Sequence, residues 1–199
     1  MKLLVIEEEG MDEVPWILTK MRQKGNLVLL SSSRERAYVK RNYFRFCNGF
    51  LAFGGRCGFT CCAKVVDKVI EDLPGLRMKL EQTGANIRYH DLNKSYSPWE
   101  LTGKERIRGI EVMWDTPQQQ ALLANLGEIR LIEEKHAMLR LRDVKEGESV
   151  KEMAAFLKIP LEDIFVFGWH ASLFEGHVHA YDLNEMPMKE ALAMAGLMG

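Results

Sequence analysis

Three carboxylates in a row, Glu7, Glu8 and Glu9, follow a four-residue apolar run at positions 3–6 and precede Gly10. An apolar run without polar relief reads as a strand buried on both faces. In open α/β sheets, ligands collect just beyond the carboxyl ends of the strands, so acids clustered there form a candidate site. The plainer reading is a solvated, charged turn. A second group lies near the other end of the chain, where His170, His177 and His179 precede Asp182. His177 and His179 alternate along a predicted strand and share one face, which suits a metal. With Glu7 and Glu9 they could make one site at the same sheet end. The competing reading is that these histidines are partly exposed or bonded within the core.

The elements that would position these residues can be read from spacing. Residues 12–24 carry Val14, Ile17, Leu18 and Met21 at helical intervals, with Pro15 in the first turn and Gly25 as the C-cap. Residues 26–30 predict a second strand running into Ser31-Ser32-Ser33, 34–41 a short basic helix, and 43–47 a third strand. This β-α-β-α-β rhythm argues for parallel strands joined by right-handed crossovers. Asn48-Gly49 marks a turn, and the apolar run 50–53 before Gly54-Gly55 predicts a hairpin that ends the parallel segment.

The middle of the chain has a different texture. It predicts a helix over 65–80 interrupted at Pro74-Gly75, and strands over 87–92 and 110–114. A polar loop at 93–103 holds Tyr96 and Trp99. Thr116 and Pro117 then open a well-signalled helix that ends at Gly127, followed by strands over 128–133 and 137–141. This reads as a small α+β unit on an antiparallel sheet. The parallel rhythm returns with Ser149 and Glu152 as a capping box for a helix over 150–157, a strand over 164–168, another over 178–183, and a helix over 187–197. A core made of residues 1–54 and 144–199 thus carries an inserted module of residues 55–143.

Composition narrows the functional classes. A net charge of −1 over 199 residues, with acids and bases interspersed, argues against nucleic acid or a membrane surface as a partner. The longest apolar run is far short of the roughly 20 residues of a membrane span. Met1-Lys2 and four apolar residues are too brief for a signal peptide, so a cytoplasmic protein is expected. Cys47, Cys57, Cys61 and Cys62 lack a second ligand pair at zinc spacing and are expected to be buried free thiols.

The order of these segments resembles the haloacid-dehalogenase (HAD) superfamily of phosphatases, in the branch with a C2-type cap. The resemblance is carried by MKLLVIEEEGM, LVLLSSSRERAYVKR, FRFCNGFLAF and EGESVKEMAAFLKIPLEDIFVFG, in family order and with a cap-sized insert between the third and fourth. It implies an α/β fold: a Rossmann-like parallel-sheet core plus a small inserted α+β cap. It also implies an aspartate nucleophile that forms an aspartyl-phosphate, a second aspartate as acid and base, a Ser or Thr and a Lys on the phosphoryl oxygens, and acids holding magnesium.

Residue by residue, Glu7 stands at the nucleophile position and Glu9 at the acid/base position, while Met11 replaces the usual Thr. Ser32 and Arg34 are retained as phosphate-binding residues. Glu146 falls where the phosphate-holding Lys is expected, and a one-residue slip to Lys145 would restore it. After Phe167-Gly168 the chain reads Trp169-His170-Ala171-Ser172-Leu173, without the family's magnesium carboxylates. Trp169 there would plug the site or fill the space of an absent cation. An Asp→Glu change moves a carboxylate outward by roughly 1.5 Å, and a misplacement of about 1 Å can cost on the order of 10²-fold in rate.

Two functions follow. One is a catalytically degenerate phosphatase fold without a cofactor, acting by binding a protein partner or a phosphorylated small molecule. The other is a divalent-metal-dependent phosphatase of the sugar-phosphate type, with magnesium and a non-standard site. His170, His177 and His179 are the metal candidates for such a site, and a homo-oligomer is left open.

Overall fold

Strand β1 (Leu3–Glu7) is buried along its whole length because parallel neighbours flank it, β2 (Leu27–Ser31) on one side and β11 (Ile164–Gly168) on the other. In this computed structural model the residues described are 1–8, 15–43, 45–170, 174 and 179–198. The sheet continues outward from β11 to β12 (His179–Asp182), and from β2 to β3 (Gly49–Ala52), all in parallel. It then turns back through antiparallel β4 (Cys57–Thr60) and β5 (Lys64–Asp67), giving the order β12-β11-β1-β2-β3-β4-β5.

Alternation along the central strands sends side chains to two apolar layers. Leu4, Ile6, Val28 and Leu30 meet α1 (Pro15–Gln23), α2 (Arg36–Tyr43) and α6 (Met188–Met194) through Leu18, Val39 and Leu192. Leu3, Val5 and Leu29 meet α5 (Glu146–Phe156) through Val150, Met153 and Ala154. Helices therefore cover both faces, as a parallel sheet requires.

Between β5 and α5 the chain builds a second sheet of five antiparallel strands, in the order β7-β6-β8-β10-β9. These are β6 (Asn86–His90), β7 (Ser95–Tyr96), β8 (Gly109–Met113), β9 (Glu128–Glu133) and β10 (His136–Arg140). One face packs on α3 (Leu73–Gln82) and α4 (Pro117–Leu126), around Leu80, Tyr89, Val112 and Leu123. The other faces the larger sheet, with Met138 and Ile132 joining the apolar cluster that holds Phe53. At Gly109 a Cβ would overlap the Phe53 ring, so the two units approach closely there.

Several expectations are corrected. The third parallel strand is Gly49–Ala52, not 43–47, because α2 runs on to Tyr43. The hairpin turn falls after Ala52, with Phe53, Gly54 and Gly55 all at positive φ, rather than at Asn48-Gly49. Residues 57–67, assigned to the insert and partly to a helix, form two strands of the larger sheet. The Ser149 capping box is absent, since α5 begins one turn earlier behind Lys145, and Ser149 inside it donates to the Gly55 carbonyl at 2.6 Å. Cys47 and Cys57 are buried, whereas Cys61 and Cys62 are exposed. Among the described residues no helix is long and apolar enough to cross a membrane.

Candidate functional site

The carboxyl ends of β1, β2 and β11 converge where the strand order switches from β2 to β11 around β1, the place where an open α/β sheet forms its crevice. Glu7 closes β1 and is 3% exposed. Its Oε2 accepts the His170 backbone N–H at 2.8 Å, the first turn beyond β11. Gly168 makes that possible, because a Cβ there would come within 2.6 Å of the Glu7 Cγ and Cδ. Beside Glu7, Glu8 accepts the Ser32 hydroxyl proton, and Ser32 Oγ in turn accepts the Arg34 N–H at 3.0 Å. On the next strand, Ser31 donates to Glu146 Oε2 at 3.1 Å.

Two arginines from the five-stranded sheet close this crevice. Arg130 on β9 and Arg140 on β10 lie on the sheet face toward the core, and both are buried. Arg140 Nε donates to Glu146 Oε1 at 2.7 Å, its Nη2 to the Val144 carbonyl at 3.0 Å, and its Nη1 to Glu128 Oε2 at 3.4 Å. Arg130 lies 3.5 Å from Glu146 Oε1, 4.0 Å from Glu7 Oε1 and 2.9 Å from Glu128 Oε1. Two guanidiniums thus offset most of the charge of three carboxylates, of which Glu7 and Glu146 are buried, where unpaired charge would be costly. Burial pushes the Glu146 carboxyl up from its ordinary value, and Arg130 and Arg140 pull it back.

The Nη1 of Arg130 also lies 2.6 Å from His170 Nδ1. The same Nδ1 lies 3.3 Å from Glu7 Oε2, and His170 Nε2 lies 3.6 Å from Glu128 Oε1, so the ring sits between a guanidinium and two carboxylates. The space left between Glu7, Ser32, Arg130 and Glu146 measures about 10 Å³. That is room for about one water molecule.

Of the residues singled out by sequence, Glu7, Ser32 and His170 meet here. Arg34 turns aside, stacking its guanidinium on Tyr38 at 3.9 Å and pairing with Glu35 at 3.3 Å. Lys145 is exposed and stays out of the crevice, so the slip that would restore a lysine does not occur, and the buried side chain at that corner is Glu146. His179 begins β12 opposite Phe165, near the far end of the sheet from His170, and stacks on the Phe165 ring at 4.8 Å. The structure therefore does not bring His170 and His179 together. Glu9 and His177 lie outside the described residues, among which no group of three metal-type side chains could hold an ion. Trp169 does not line the space; Arg130 does.

Sequence reasoning missed Arg130, Arg140 and Glu128. The available signal was small: Arg130 and Arg140 occupy inward positions in strands whose neighbours alternate apolar.

No protein-family model matches the chain, and no curated protein matches it. Solved structures do. The HAD subclass IIB sugar phosphatase BT4131 superimposes with a TM-score of 0.73 at 12% identity, over 100% of both chains. A haloacid dehalogenase-like hydrolase from B. subtilis gives 0.70 at 14%, over 89% of this chain and 87% of that one. Another from Bacteroides thetaiotaomicron gives 0.66 at 13%, over 96% and 91%. The fold is thus that of the capped HAD phosphatases: a Rossmann-like core sheet carrying an α+β cap.

Magnesium, which the sequence resemblance brings with it, does not fit the described residues. Glu7 Oε2 already accepts a backbone N–H, and its Oε1, buried without a hydrogen-bond partner among the described residues, has the Arg130 guanidinium 4.0 Å away as the cation beside it. Trp169 and His170 bring no carboxylate, and Asp182, at the end of the edge strand, accepts from Asn184 at 2.8 Å.

Proposed function

We propose that this protein is a catalytically degenerate member of the phosphatase fold that acts by binding. The reading rests on one observation: the crevice is filled from above by Arg130, which sits against Glu7 and Glu146 and leaves about 10 Å³. A phosphoryl group has no room beside Glu7 while the cap sheet lies on the core. Phosphoryl transfer is mostly positioning and charge stabilisation, and here the positive charge is already paired with the protein's own carboxylates. With the crevice closed to a phosphorylated small molecule, a protein partner is the ligand that the geometry favours.

The test is a phosphate-ester panel assayed with magnesium, manganese and zinc, comparing wild type with Glu7→Ala. The expected result is no turnover above background in either protein. Turnover by wild type that vanishes in Glu7→Ala would overturn the reading.

A further inference from the structure

The hairpin joining β4 to β5 carries two cysteines that the crevice does not use. β4 runs antiparallel to β3, with Thr60 opposite Gly49, so this hairpin lies at the end of the sheet away from Glu7. Cys61 and Cys62 are both exposed, and their Sγ atoms are 3.2 Å apart. The turn is held in shape from one side. Thr60 Oγ1 accepts the N–H of Ala63 at 3.1 Å and of Cys62 at 3.4 Å, and the Thr60 N–H donates to the Ala63 carbonyl at 2.9 Å. Two thiols on adjacent residues are therefore presented side by side on a short, hydrogen-bonded turn, which lowers the ordering cost of binding both at once.

The separation of the sulfurs selects the ligand. Two bonds of about 2.3 Å, the usual zinc–sulfur length, reaching sulfurs 3.2 Å apart enclose an angle of about 90°. Tetrahedral zinc would need its sulfurs roughly 3.8 Å apart, and its other two ligands as well. A trivalent, pyramidal centre with near right-angled bonds fits without moving either side chain. The hydrogen bond between the two sulfurs raises the Cys61 thiol above its ordinary value, so the pair carries both of its protons at neutral pH.

We infer that Cys61 and Cys62 form a vicinal dithiol site for soft trivalent electrophiles of the arsenoxide class. In the reaction two As–S bonds form, the As–O double bond breaks, and the two thiol protons leave with the oxygen as one water. No oxidant or reductant takes part.

Phenylarsine oxide is the probe, added to the full chain in excess glutathione and followed by intact-protein mass spectrometry and peptide mapping. The expected result is a single adduct on the peptide holding residues 61 and 62, removed by a small dithiol but not by glutathione. Cys61→Ser and Cys62→Ser should each weaken retention by about a hundredfold or more, because the second bond is made intramolecularly. Cys47→Ser with Cys57→Ser should leave it unchanged. A wild-type adduct lost to glutathione, an adduct mapped to Cys47 or Cys57, or full retention in either single variant would overturn the assignment.

Discussion

Arg140 is held by Glu146 at 2.7 Å, Glu128 at 3.4 Å and the Val144 carbonyl at 3.0 Å, and it is 8% exposed. Removing one partner of a buried ion pair strands the other, at a cost of about 3–5 kcal/mol, whereas replacing both by apolar groups is often neutral. Because Glu146 keeps Arg130 at 3.5 Å and the Ser31 hydroxyl at 3.1 Å, Arg140→Met should lower unfolding stability by at most about 3–5 kcal/mol in urea titrations, and Arg140→Met with Glu146→Met should recover part of that loss. Additive single-variant losses would show that the pair is not coupled. This arrangement explains what could be read at the residue level. Glu7 was legible because an apolar run ending in acids is a local pattern. Arg130 and Arg140 were not, because an arginine in a strand is ordinarily placed toward solvent, and only the approach of the other sheet buries it. The lysine at the phosphate corner was doubtful in sequence for a related reason. One helical position decides whether a side chain points into the crevice or out of it, and α5 points Glu146 in and leaves Lys145 outside.

At the level of elements, the cap sheet carries its own polar device. Glu111 on β8 accepts from His90 on β6 at 2.6 Å and from His136 on β10 at 2.5 Å, tying three adjacent strands on the face toward the core. The His90 contact, opposed by burial and aided by His136, lowers the Glu111 carboxyl from 4.5 to about 2. A carboxylate lowered on folding contributes stability that is fully present above its unfolded value and is lost as pH falls through the folded one. Acid titration followed by circular dichroism should therefore show stability falling between about pH 4.5 and about pH 2, and Glu111→Gln should flatten that part of the profile. An unchanged profile in Glu111→Gln would assign the acid transition to other groups.

Elements with their signals written locally were legible: the Thr116 cap, Pro117 and the Gly127 stop bound α4, where Thr116 accepts from Gln119 N–H at 3.3 Å. Elements decided by distant contacts were misread. Residues 43–47 have strand-like composition, yet α2 ends only at Tyr43. The Asn48 side chain then accepts the Val28 N–H at 2.9 Å, so that pairing with β2 starts at Gly49. Ser149 matched a capping pattern, but its hydroxyl is used between elements, donating to Gly55 and accepting from Lys68 at 3.2 Å.

For the whole molecule, two ion pairs among the described residues tie the cap to the core besides those of the filled crevice. The chain leaves the core after Asp67, and Asp67 takes a bidentate contact from the buried Arg108, at 2.5 Å and 3.0 Å, just before β8. Arg108 holds the Asp67 carboxyl well below the usual carboxylate range. The chain returns through Asp143, which pairs with the buried Arg56 of the core hairpin. These two ties differ in weight. Asp143 is 57% exposed, and an exposed partner contributes about 0–1 kcal/mol. Asp67 is mostly covered, and a hydrogen bond to a charged group there is worth about 1.5–3 kcal/mol. Since about 1.4 kcal/mol is tenfold in an equilibrium, Asp67→Asn should raise the population with the cap lifted by about tenfold or more, and Asp143→Asn by much less. Limited trypsin digestion can read this at Lys68, Arg142 and Lys145, and hydrogen exchange can read it along residues 68–72 and 141–145. Cleavage faster in Asp67→Asn than in Asp143→Asn, with wild type slowest, is the expected order. Equal rates in all three proteins would mean that the arginines in the crevice alone hold the cap. The consequence for function is direct. A cap pinned by buried charge at the crevice and at the linker keeps Arg130 over Glu7, so under the proposed binding role the closed form is the one a partner would meet.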